Sequence, residues 1–253
     1  MKHLISNYSH INFKTKLRSL FVILIYLFTL FPSSAYAEFV TSPECCEEKV
    51  VYLTFDDGPT PKITTQLLDV LKSEKVNATF FIVGKEIKGR EEVLKRIYNE
   101  GHGIGLHTYS HNFKLIYQNP ETFITEMEKA ELTINEVLGT NINFQAIRFP
   151  GGSAGRLNPN FYELLIAHGY KIFDWNIDLK DGIKGSLSPD TFIDNAKKCQ
   201  DKSTRRIILA HCNSNNINTV RALPGIIKYY RNEGYSFKVI NNDTSPYFFR
   251  FKK

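Results

Sequence analysis

Short apolar runs alternate with longer amphipathic segments along most of the chain, from Lys49 onward. The runs are rich in β-branched and aromatic residues, which favour buried strands, whereas the longer segments space their apolar residues as helices do. The pattern predicts about seven strands, over residues 50–55, 78–84, 103–107, 146–150, 171–175, 206–211 and 236–240. Strands that alternate with helices predict a parallel α/β domain, either closed into a barrel or open with helices on both faces.

Start and stop signals support the predicted helices. Asn119-Pro120, Asn158-Pro159 and Ser188-Pro189 each place a capping side chain directly before a proline, which is the arrangement that opens a helix. Gly139 and Gly169 follow the apolar periodicity of the first two helices and mark their ends.

The first predicted strand ends at two adjacent carboxylates, Asp56 and Asp57, followed by Gly58-Pro59. Ligands of parallel sheets bind at the carboxyl ends of the strands, so we expect this pair at the rim where a site would form. Two carboxylates this close repel each other, and a site that keeps both needs a cation beside them. The alternative is an ordinary acidic turn before a helix, because Asp-Gly-Pro is common turn chemistry.

Two histidines extend this acidic pair into a metal-binding pattern. His107 and His111 stand four residues apart, and in a helical turn this spacing places both imidazoles on one face. With Asp57 as the third ligand, the set would leave one coordination position open, as in catalytic rather than structural zinc sites. Surface or capping roles for the two histidines are the alternative.

Further polar side chains come at the ends of other predicted strands. Arg148 belongs to the end of the fourth, residues 178–181 follow the fifth, and His211 ends the sixth. The carboxyl ends of parallel strands meet at one edge of a sheet, so we expect these groups to gather around the two carboxylates.

The N-terminal residues differ from the rest of the chain. Four basic residues precede an apolar run over 19–31, which Ala35-Tyr36-Ala37 follows. This pattern predicts a secretory signal peptide over residues 1–37, with an uncleaved membrane anchor as the alternative, and therefore a secreted or cell-envelope protein. Residues 38–48 are then a linker, and residues 49–253 form one domain of catalytic size.

The net charge of +6 for 253 residues belongs largely to this leader. Residues 1–37 hold four of the 32 Lys and Arg and none of the 26 Asp and Glu, so the remainder carries about +2. This near balance gives no support to nucleic-acid binding.

Four cysteines follow the leader, Cys45, Cys46, Cys199 and Cys212. An oxidising compartment would permit a disulfide, but four cysteines allow three full pairings and the sequence does not choose among them. The chain has no C-x-x-C pair, which disfavours a structural zinc knuckle.

Five motifs together resemble those of the polysaccharide deacetylases, also called family 4 carbohydrate esterases or NodB-homology domains. In chain order they are Thr54-Phe-Asp-Asp-Gly-Pro59, His107-Thr-Tyr-Ser-His111, Arg148-Phe-Pro-Gly-Gly152, Trp175-Asn-Ile-Asp-Leu-Lys-Asp181 and Leu209-Ala-His211. The resemblance covers residues 49–240, nearly all of the chain after the leader. It implies a single domain built as a distorted (β/α) barrel with fewer than eight strands, in agreement with the seven predicted.

The resemblance also implies roles for the matching residues. Asp57, His107 and His111 would bind a divalent metal, usually zinc, although other divalent ions serve some members. Asp56 would be the general base, and His211 the general acid that protonates the leaving amine.

Four further residues would support this reaction. Arg148 would orient the base and Asp181 would pair with the acid, while Gly151 would offer its backbone N–H to the tetrahedral oxyanion and Leu209 would line the acyl pocket. An ordinary salt bridge is the alternative for Arg148, and Asp178 is the alternative partner for the acid.

Two positions depart from the family pattern. Gly182 stands where members often have a tryptophan that walls the acyl pocket, and Cys212 stands where they often have aspartate or asparagine. These departures bear on acyl-group selectivity and local redox behaviour rather than on the reaction itself.

The implied activity is metal-dependent N-deacetylation of N-acetylglucosamine residues in a cell-envelope polysaccharide. Peptidoglycan is the first choice, because of the predicted signal peptide and because Arg148-Phe-Pro-Gly-Gly-Ser153 is similar to the form in peptidoglycan-modifying members. Chitin or chitooligosaccharides, poly-N-acetylglucosamine of biofilms and acetylated xylan would use the same catalytic set. A non-catalytic carbohydrate-binding protein on the same scaffold and a small-molecule amidase are the other classes considered.

Overall fold

The computed structural model describes residues 48–183 and 187–250. The predicted leader, the linker up to residue 47, and with it Cys45 and Cys46, lie outside the described residues. Within them the strands are Val50–Gly58 (β1), Thr79–Ile82 (β2), Gly103–Leu106 (β3), Ala146–Ile147 (β4), Lys171–Ile172 (β5), Ile177–Asp178 (β6), Arg205–His211 (β7) and Ser236–Phe237 (β8). The α-helices are Ile63–Glu74 (α1), Glu91–Asn99 (α2), Phe113–Ile116 (α3), Pro120–Leu138 (α4), Pro159–Ala167 (α5), Pro189–Ala196 (α6) and Ile217–Asn232 (α7), with a 3₁₀ turn at Gly84–Ile87.

The strands form one parallel sheet. Seven follow a single path in the order β5-β4-β3-β2-β1-β7-β6, and β8 pairs beside the start of β1. The predicted α/β class and the count of about seven strands are thus confirmed for this path. The strands on this path differ from the predicted ones, because β6 was not predicted and the strand expected over 171–175 ends at Ile172.

The sheet curls into a distorted barrel because only four residues join its two edges. β5 ends at Ile172 and β6 begins at Ile177, although the two strands lie at opposite ends of the strand order. In a flat sheet, six inter-strand steps of about 4.8 Å would separate these edges by about 29 Å. Five residue steps reach about 17 Å at most, so the sheet has to curve until its edges approach each other.

The C-terminal segment, residues 245–249, fills the gap between these edges. Tyr247 forms a parallel bridge with Phe173 and donates its backbone N–H to the carbonyl of Ile172 at 3.0 Å. On the other side, the guanidinium of Arg205 at the start of β7 donates to the two carbonyls that precede Tyr247. The barrel is therefore closed by a segment that follows all of its strands in the chain.

Alternate residues of β1 face two different apolar layers. Val51, Leu53 and Phe55 belong to the large core between the sheet and the helices. Val50 and Tyr52 belong to a second, smaller cluster, made of strand residues and their neighbours, which occupies the barrel interior. Both faces of the strand are buried, as expected of a parallel sheet covered by helices. The interior face becomes polar toward the carboxyl end of the strand, where the candidate site residues begin.

The helices α4, α5 and α6 begin at the predicted capping residues. The side chains of Asn119, Asn158 and Ser188 each accept a hydrogen bond from the backbone N–H three residues further on. Gly139 ends α4 with φ of 65°, a left-handed conformation that glycine adopts at little cost. In the part of the chain that the structure describes, no helix combines the length and apolarity needed to cross a membrane.

Asn176 ties the short connection between the sheet edges to the neighbouring strand. Its side chain is fully buried, with Oδ1 accepting from the Ile207 N–H at 2.8 Å and Nδ2 donating to the Arg205 carbonyl at 2.7 Å. These bonds replace the ladder hydrogen bonds that a longer β6 would have made with β7. The asparagine amide thereby satisfies backbone groups that burial would otherwise leave unpaired.

We expect Asn176→Ala to lower the free energy of unfolding by about 3 kcal/mol, because it leaves a buried backbone donor and a partly buried acceptor without partners. Urea unfolding of the two proteins measures the difference. Asn242→Ala is the matched control, since the Asn242 side chain makes one exposed hydrogen bond and its loss should change little. Equal destabilisation by both variants would contradict the role assigned to Asn176.

Candidate active site

Site residues from four strands meet at the carboxyl end of the barrel. Asp56 in β1 and His211 in β7 are register partners on adjacent strands. His107 follows β3 directly and Arg148 follows β4 directly. The structure therefore brings together the groups that the sequence placed at strand ends, as parallel strands require.

A local irregularity in β1 lets both carboxylates face this site. Successive residues of a regular strand point to opposite faces, so Asp56 and Asp57 would ordinarily diverge. The pairing of β1 with β2 shifts register between Asp56 and Gly58, and Asp57 adopts φ of 72°. This bulge turns Asp57 toward the histidines while Asp56 stays buried in the barrel interior.

Asp57, His107 and His111 form a cluster with the geometry of a metal site. Asp57 Oδ1 lies 3.2 Å from His111 Nε2 and 3.5 Å from His107 Nε2. One ligand atom from each of the three residues lies within 4.8 Å of the others. Tetrahedral zinc with bonds of about 2.0–2.1 Å holds its ligand atoms about 3.3 Å apart, so the donor set fits this ion.

The prediction of a helical turn between the two histidines is wrong. Thr108 and His111 both have positive φ, 66° and 50°, so residues 107–111 form an irregular turn rather than a helix. The turn is held by hydrogen bonds from the His111 N–H to Thr108 Oγ1 and from the Ser110 N–H to Glu126 Oε2 in α4. Glu126 is buried, and its carboxylate accepts a hydrogen bond from the Ser110 N–H, which has no helical partner in this irregular turn.

Hydrogen bonding and charge prepare the ligands for a cation. His107 Nδ1 lies 2.8 Å from the Arg148 carbonyl, and a proton on that nitrogen leaves the Nε2 lone pair free to bind metal. Burial alone would raise the pKa of Asp57, but the hydrogen bond and charge of His107 and the charges of His211 and His111 hold it well below its usual range. Burial, with the charge of His107, lowers the pKa of His111. A carboxylate and neutral imidazoles are the forms that bind metal.

Arg148 and Asp56 form a fully buried ion pair beside the cluster. Arg148 Nη1 lies 2.8 Å from Asp56 Oδ1, and the same nitrogen donates to Thr54 Oγ1 at 2.6 Å. The guanidinium also donates to the Phe173 and Asp174 carbonyls. Arg148 therefore makes a salt bridge, as in the alternative interpretation, but its partner is the candidate base Asp56 and both groups are buried. It leaves Asp56 Oδ2 directed to the site, 3.7 Å from His107 Nε2.

His211 is paired with Asp181, and Asp178 lies elsewhere. Asp181 Oδ1 is 2.7 Å from His211 Nδ1, and Asp181 Oδ2 accepts the His211 backbone N–H at 2.9 Å. Asp178 instead accepts hydrogen bonds from the backbone and the ammonium of Lys180. Burial disfavours charge on His211, but the hydrogen bond and charge of Asp181, together with Asp56 and Asp57, raise its pKa to about 9. The imidazole is thus held in the protonated form that a general acid needs.

Several supporting residues were missed in the sequence. Asn213 Nδ2 donates to Asp57 Oδ2 at 2.8 Å, and Thr219 Oγ1 donates to Asp181 Oδ2 at 2.7 Å. Asn213 begins the polar run Asn213-Ser-Asn-Asn216 just after β7, which could have signalled it, whereas Thr219 lies early in α7. Glu126 lies in the middle of an amphipathic helix, where no local pattern distinguishes it.

The remaining residues singled out in the sequence differ in their surroundings. Gly151 has φ of 73° in the turn after Arg148, and Leu209 is buried two residues before His211 on the same face of β7. A Cβ on Gly182 would come within 2.8 Å of the His211 ring, so this glycine packs directly against the imidazole. Cys212 is buried on the opposite face, and burial raises the pKa of its thiol.

We expect His211 in the metal-free protein to titrate with a pKa near 9, and Asp181→Asn to bring it toward the ordinary value of 6.5. NMR of the imidazole protons across this pH range measures both. Because the folded-state pKa is raised, the stabilisation from this pair is present below pH 6.5 and lost as the pH rises through about 9. Asp178→Asn is the control; if it shifted the titration as much as Asp181→Asn, the assigned pairing would be wrong.

We expect Glu126→Ala to weaken metal binding about tenfold, because the turn carrying both histidines loses its buried acceptor. Competition with a metal-binding dye measures the dissociation constant without an assay of activity. Glu128→Ala provides the control, since Glu128 is exposed on the same helix. Unchanged affinity in Glu126→Ala would show that the turn holds its shape without this carboxylate.

Comparisons with known proteins agree with the geometry. The family model described as polysaccharide deacetylase matches residues 44–173. A putative polysaccharide deacetylase of Bacillus subtilis (strain 168) is 36% identical over 202 residues, which cover 79% of this chain and 70% of that protein. A peptidoglycan-N-acetylglucosamine deacetylase of Bacillus cereus is 34% identical over 206 residues, covering 78% of this chain and 71% of that protein.

A solved structure shows the same fold. The crystal structure of a polysaccharide deacetylase from Bacillus cereus matches with a TM-score of 0.72 at 32% identity, covering 80% of this chain and 97% of that one. The resemblance carried by the five motifs is therefore confirmed, and the chain belongs to the polysaccharide deacetylase family, whose members are hydrolases that act on amide bonds.

Proposed function

We propose that the protein is a zinc-dependent N-deacetylase that removes acetyl groups from N-acetylglucosamine residues of peptidoglycan. The observation that carries the proposal is the placement of an Asp56–Arg148 pair and a His211–Asp181 pair around the Asp57, His107 and His111 cluster. A base, an acid and a metal-ligand set in one pocket are what amide hydrolysis needs.

The metal ligands support zinc in particular. Two imidazole nitrogens and one carboxylate are the donor set of catalytic zinc, and the distances to Asp57 Oδ1 fit its short bonds. When bound there, the ion would polarise the acetamide carbonyl and make water acidic enough to attack near neutral pH. Asn213 would keep Asp57 oriented through its hydrogen bond to the second carboxylate oxygen.

Asp56 is suited to take the proton of the attacking water. Oδ1 is held by the Arg148 guanidinium, which leaves Oδ2 as the oxygen beside the metal ligands. The pairing fixes the carboxylate orientation, so the base needs no reorganisation when the substrate binds.

His211 is suited to deliver a proton to the leaving nitrogen. Its Nδ1 is bonded to Asp181, so Nε2 carries the proton that faces the pocket. Thr219 holds Asp181 Oδ2 in turn, so the imidazole is oriented by a chain of hydrogen bonds. The Gly151 N–H, at the rim of the same pocket, would donate to the oxyanion of the tetrahedral intermediate.

The complete set argues against a carbohydrate-binding protein without activity. A binder gains nothing from a buried base held by Arg148 or from an acid whose pKa Asp181 raises. Burying such charged pairs costs free energy that a purely structural site has no reason to retain.

Peptidoglycan is proposed as substrate on two grounds. The predicted signal peptide would deliver the enzyme to the cell envelope, secreted or held at the membrane by an uncleaved segment. One of the relatives at 34% identity is a peptidoglycan-N-acetylglucosamine deacetylase. Chitooligosaccharides are the second candidate, because the catalytic set does not distinguish the two polymers.

We expect the zinc-loaded enzyme to release acetate from peptidoglycan, and Asp56→Asn to reduce kcat by at least about 100-fold, since an amide cannot accept the proton. A metal chelator should abolish release and added zinc should restore it. Asp178→Asn is the control, because Asp178 is paired with Lys180 outside the pocket.

Free N-acetylglucosamine and chitooligosaccharides should be assayed beside peptidoglycan. Release from the monomer alone would favour a small-molecule amidase. No acetate from any of these substrates, with zinc demonstrably bound, would overturn the proposed activity.

A further inference from the structure

One wall of the pocket combines an exposed aromatic ring with a half-buried arginine. The Phe113 ring is 45% exposed and lies edge-on to the metal ligand His111, with 5.4 Å between ring centroids. A Cβ on Gly151 would lie 3.2 Å from Phe113 and 3.0 Å from Arg156 Nη2. A continuous surface therefore runs from the metal ligand, past the glycine at the rim, to a guanidinium.

Arg156 is held rigidly in this wall. Its Nη1 donates to the carbonyls of Gly151 and Gly152, both at 2.9 Å. Its guanidinium carbon lies 5.0 Å from the Tyr117 ring centre and 5.7 Å from that of Phe113. The side chain is thus fixed by one end of its fork and by two aromatic neighbours, at a low entropic cost for binding a ligand with the other end.

Arg156 has no counter-ion in the part of the chain that the structure describes. Among the residues that the structure describes, no carboxylate lies within ion-pair distance of it, whereas other arginines, such as Arg90, Arg96 and Arg231, have one. Lys85 adds a second positive charge beside the turn that carries the two histidines, since its backbone N–H donates to the Tyr109 carbonyl at 2.9 Å. Lys85 is exposed and likewise lacks an ion-pair partner in the described part of the chain.

We infer that Arg156 is a specificity residue that binds a carboxylate of the glycan next to the sugar being deacetylated. The inference rests on the proposed function. It adds a preference for anionic over neutral N-acetylated polymers, because chitooligosaccharides carry no group for this guanidinium to pair with. The free Nη2 edge of Arg156 offers the directed N–H groups that a carboxylate accepts.

Peptidoglycan can supply the carboxylate from two sources. A glycan strand without peptides carries a free lactyl carboxylate on every second sugar, and a strand with peptides carries carboxylates on the peptide instead. Both present an anion beside the N-acetylglucosamine residue. The same Arg156 contact would serve either one, so the two substrates are tested separately.

The test compares kcat/KM for acetate release from three oligosaccharides of equal length: a chitooligosaccharide, a peptide-free peptidoglycan strand and a peptide-bearing one. We expect Arg156→Gln to lower the ratio of anionic to neutral kcat/KM about tenfold, the size of one charge-assisted contact. Arg156→Lys should retain most of the ratio. Lys72→Gln, which removes an exposed charge at the C-terminal end of α1, should retain all of it.

Salt provides a second readout that a structural role would not move. The wild-type preference for the anionic strand should shrink between about 0.05 M and 0.5 M sodium chloride, while the ratio in Arg156→Gln should stay flat. If Arg156→Gln lowers the relative kcat/KM for the peptide-free strand alone, the contact is to the lactyl carboxylate. If it lowers the relative kcat/KM for the peptide-bearing strand alone, the contact is to the peptide.

Two failures can be told apart. If Arg156→Gln lowers kcat/KM equally on all three substrates, the residue only supports the Gly151 turn and the inference is wrong, although the proposed activity stands. If the wild-type enzyme releases acetate from none of them, the proposed function fails and the inference falls with it.

Discussion

The buried guanidinium of Arg148 is the interaction on which the barrel and the site both depend. An isolated buried charge costs several kcal/mol, so the fold has to surround it with partners. Those partners come from separate parts of the barrel: Asp56 and Thr54 in β1, and the Phe173 carbonyl after β5. The Phe81 ring lies under the guanidinium at 4.1 Å. One side chain thus links the first strand to the sheet edge near which the barrel closes.

Asp174, in the connection between the sheet edges, links Arg148 to the turn that contains Gly151. Asp174 offers its backbone carbonyl to Arg148, while its side chain accepts hydrogen bonds from the N–H and hydroxyl of Ser153 and from the Phe249 N–H. Burial raises the pKa of the Asp174 carboxyl, and this effect outweighs the hydrogen bonds and the charge of Arg148, which lower it. The turn that contains Gly151 and the C-terminal segment are therefore attached to the same carboxyl group. The contacts that close the barrel therefore also position the turn that contains Gly151.

The gathering of site residues could be predicted because it follows from topology alone. Once the strands are parallel, Asp56 and His211 must meet at one edge whatever the side-chain packing. The irregular turn before His111 could not be predicted, because it depends on Glu126, a helix residue distant in sequence whose carboxylate accepts a backbone N–H. β6 was missed for a similar reason, since two residues carry too little pattern and Asn176 replaces the missing ladder.

Gly182 leaves room for the His211 ring at the candidate site. A side chain there would begin 2.8 Å from the His211 ring, closer than side-chain carbons approach other atoms, so the imidazole and the loop could not both keep their positions. A larger residue at this position would therefore require a different loop path. Leu209 is buried two residues before His211, whereas the Phe113 ring is 45% exposed and lies against His111. The absence of a side chain at residue 182 is therefore what lets the His211 ring keep its hydrogen bond to Asp181 in this position.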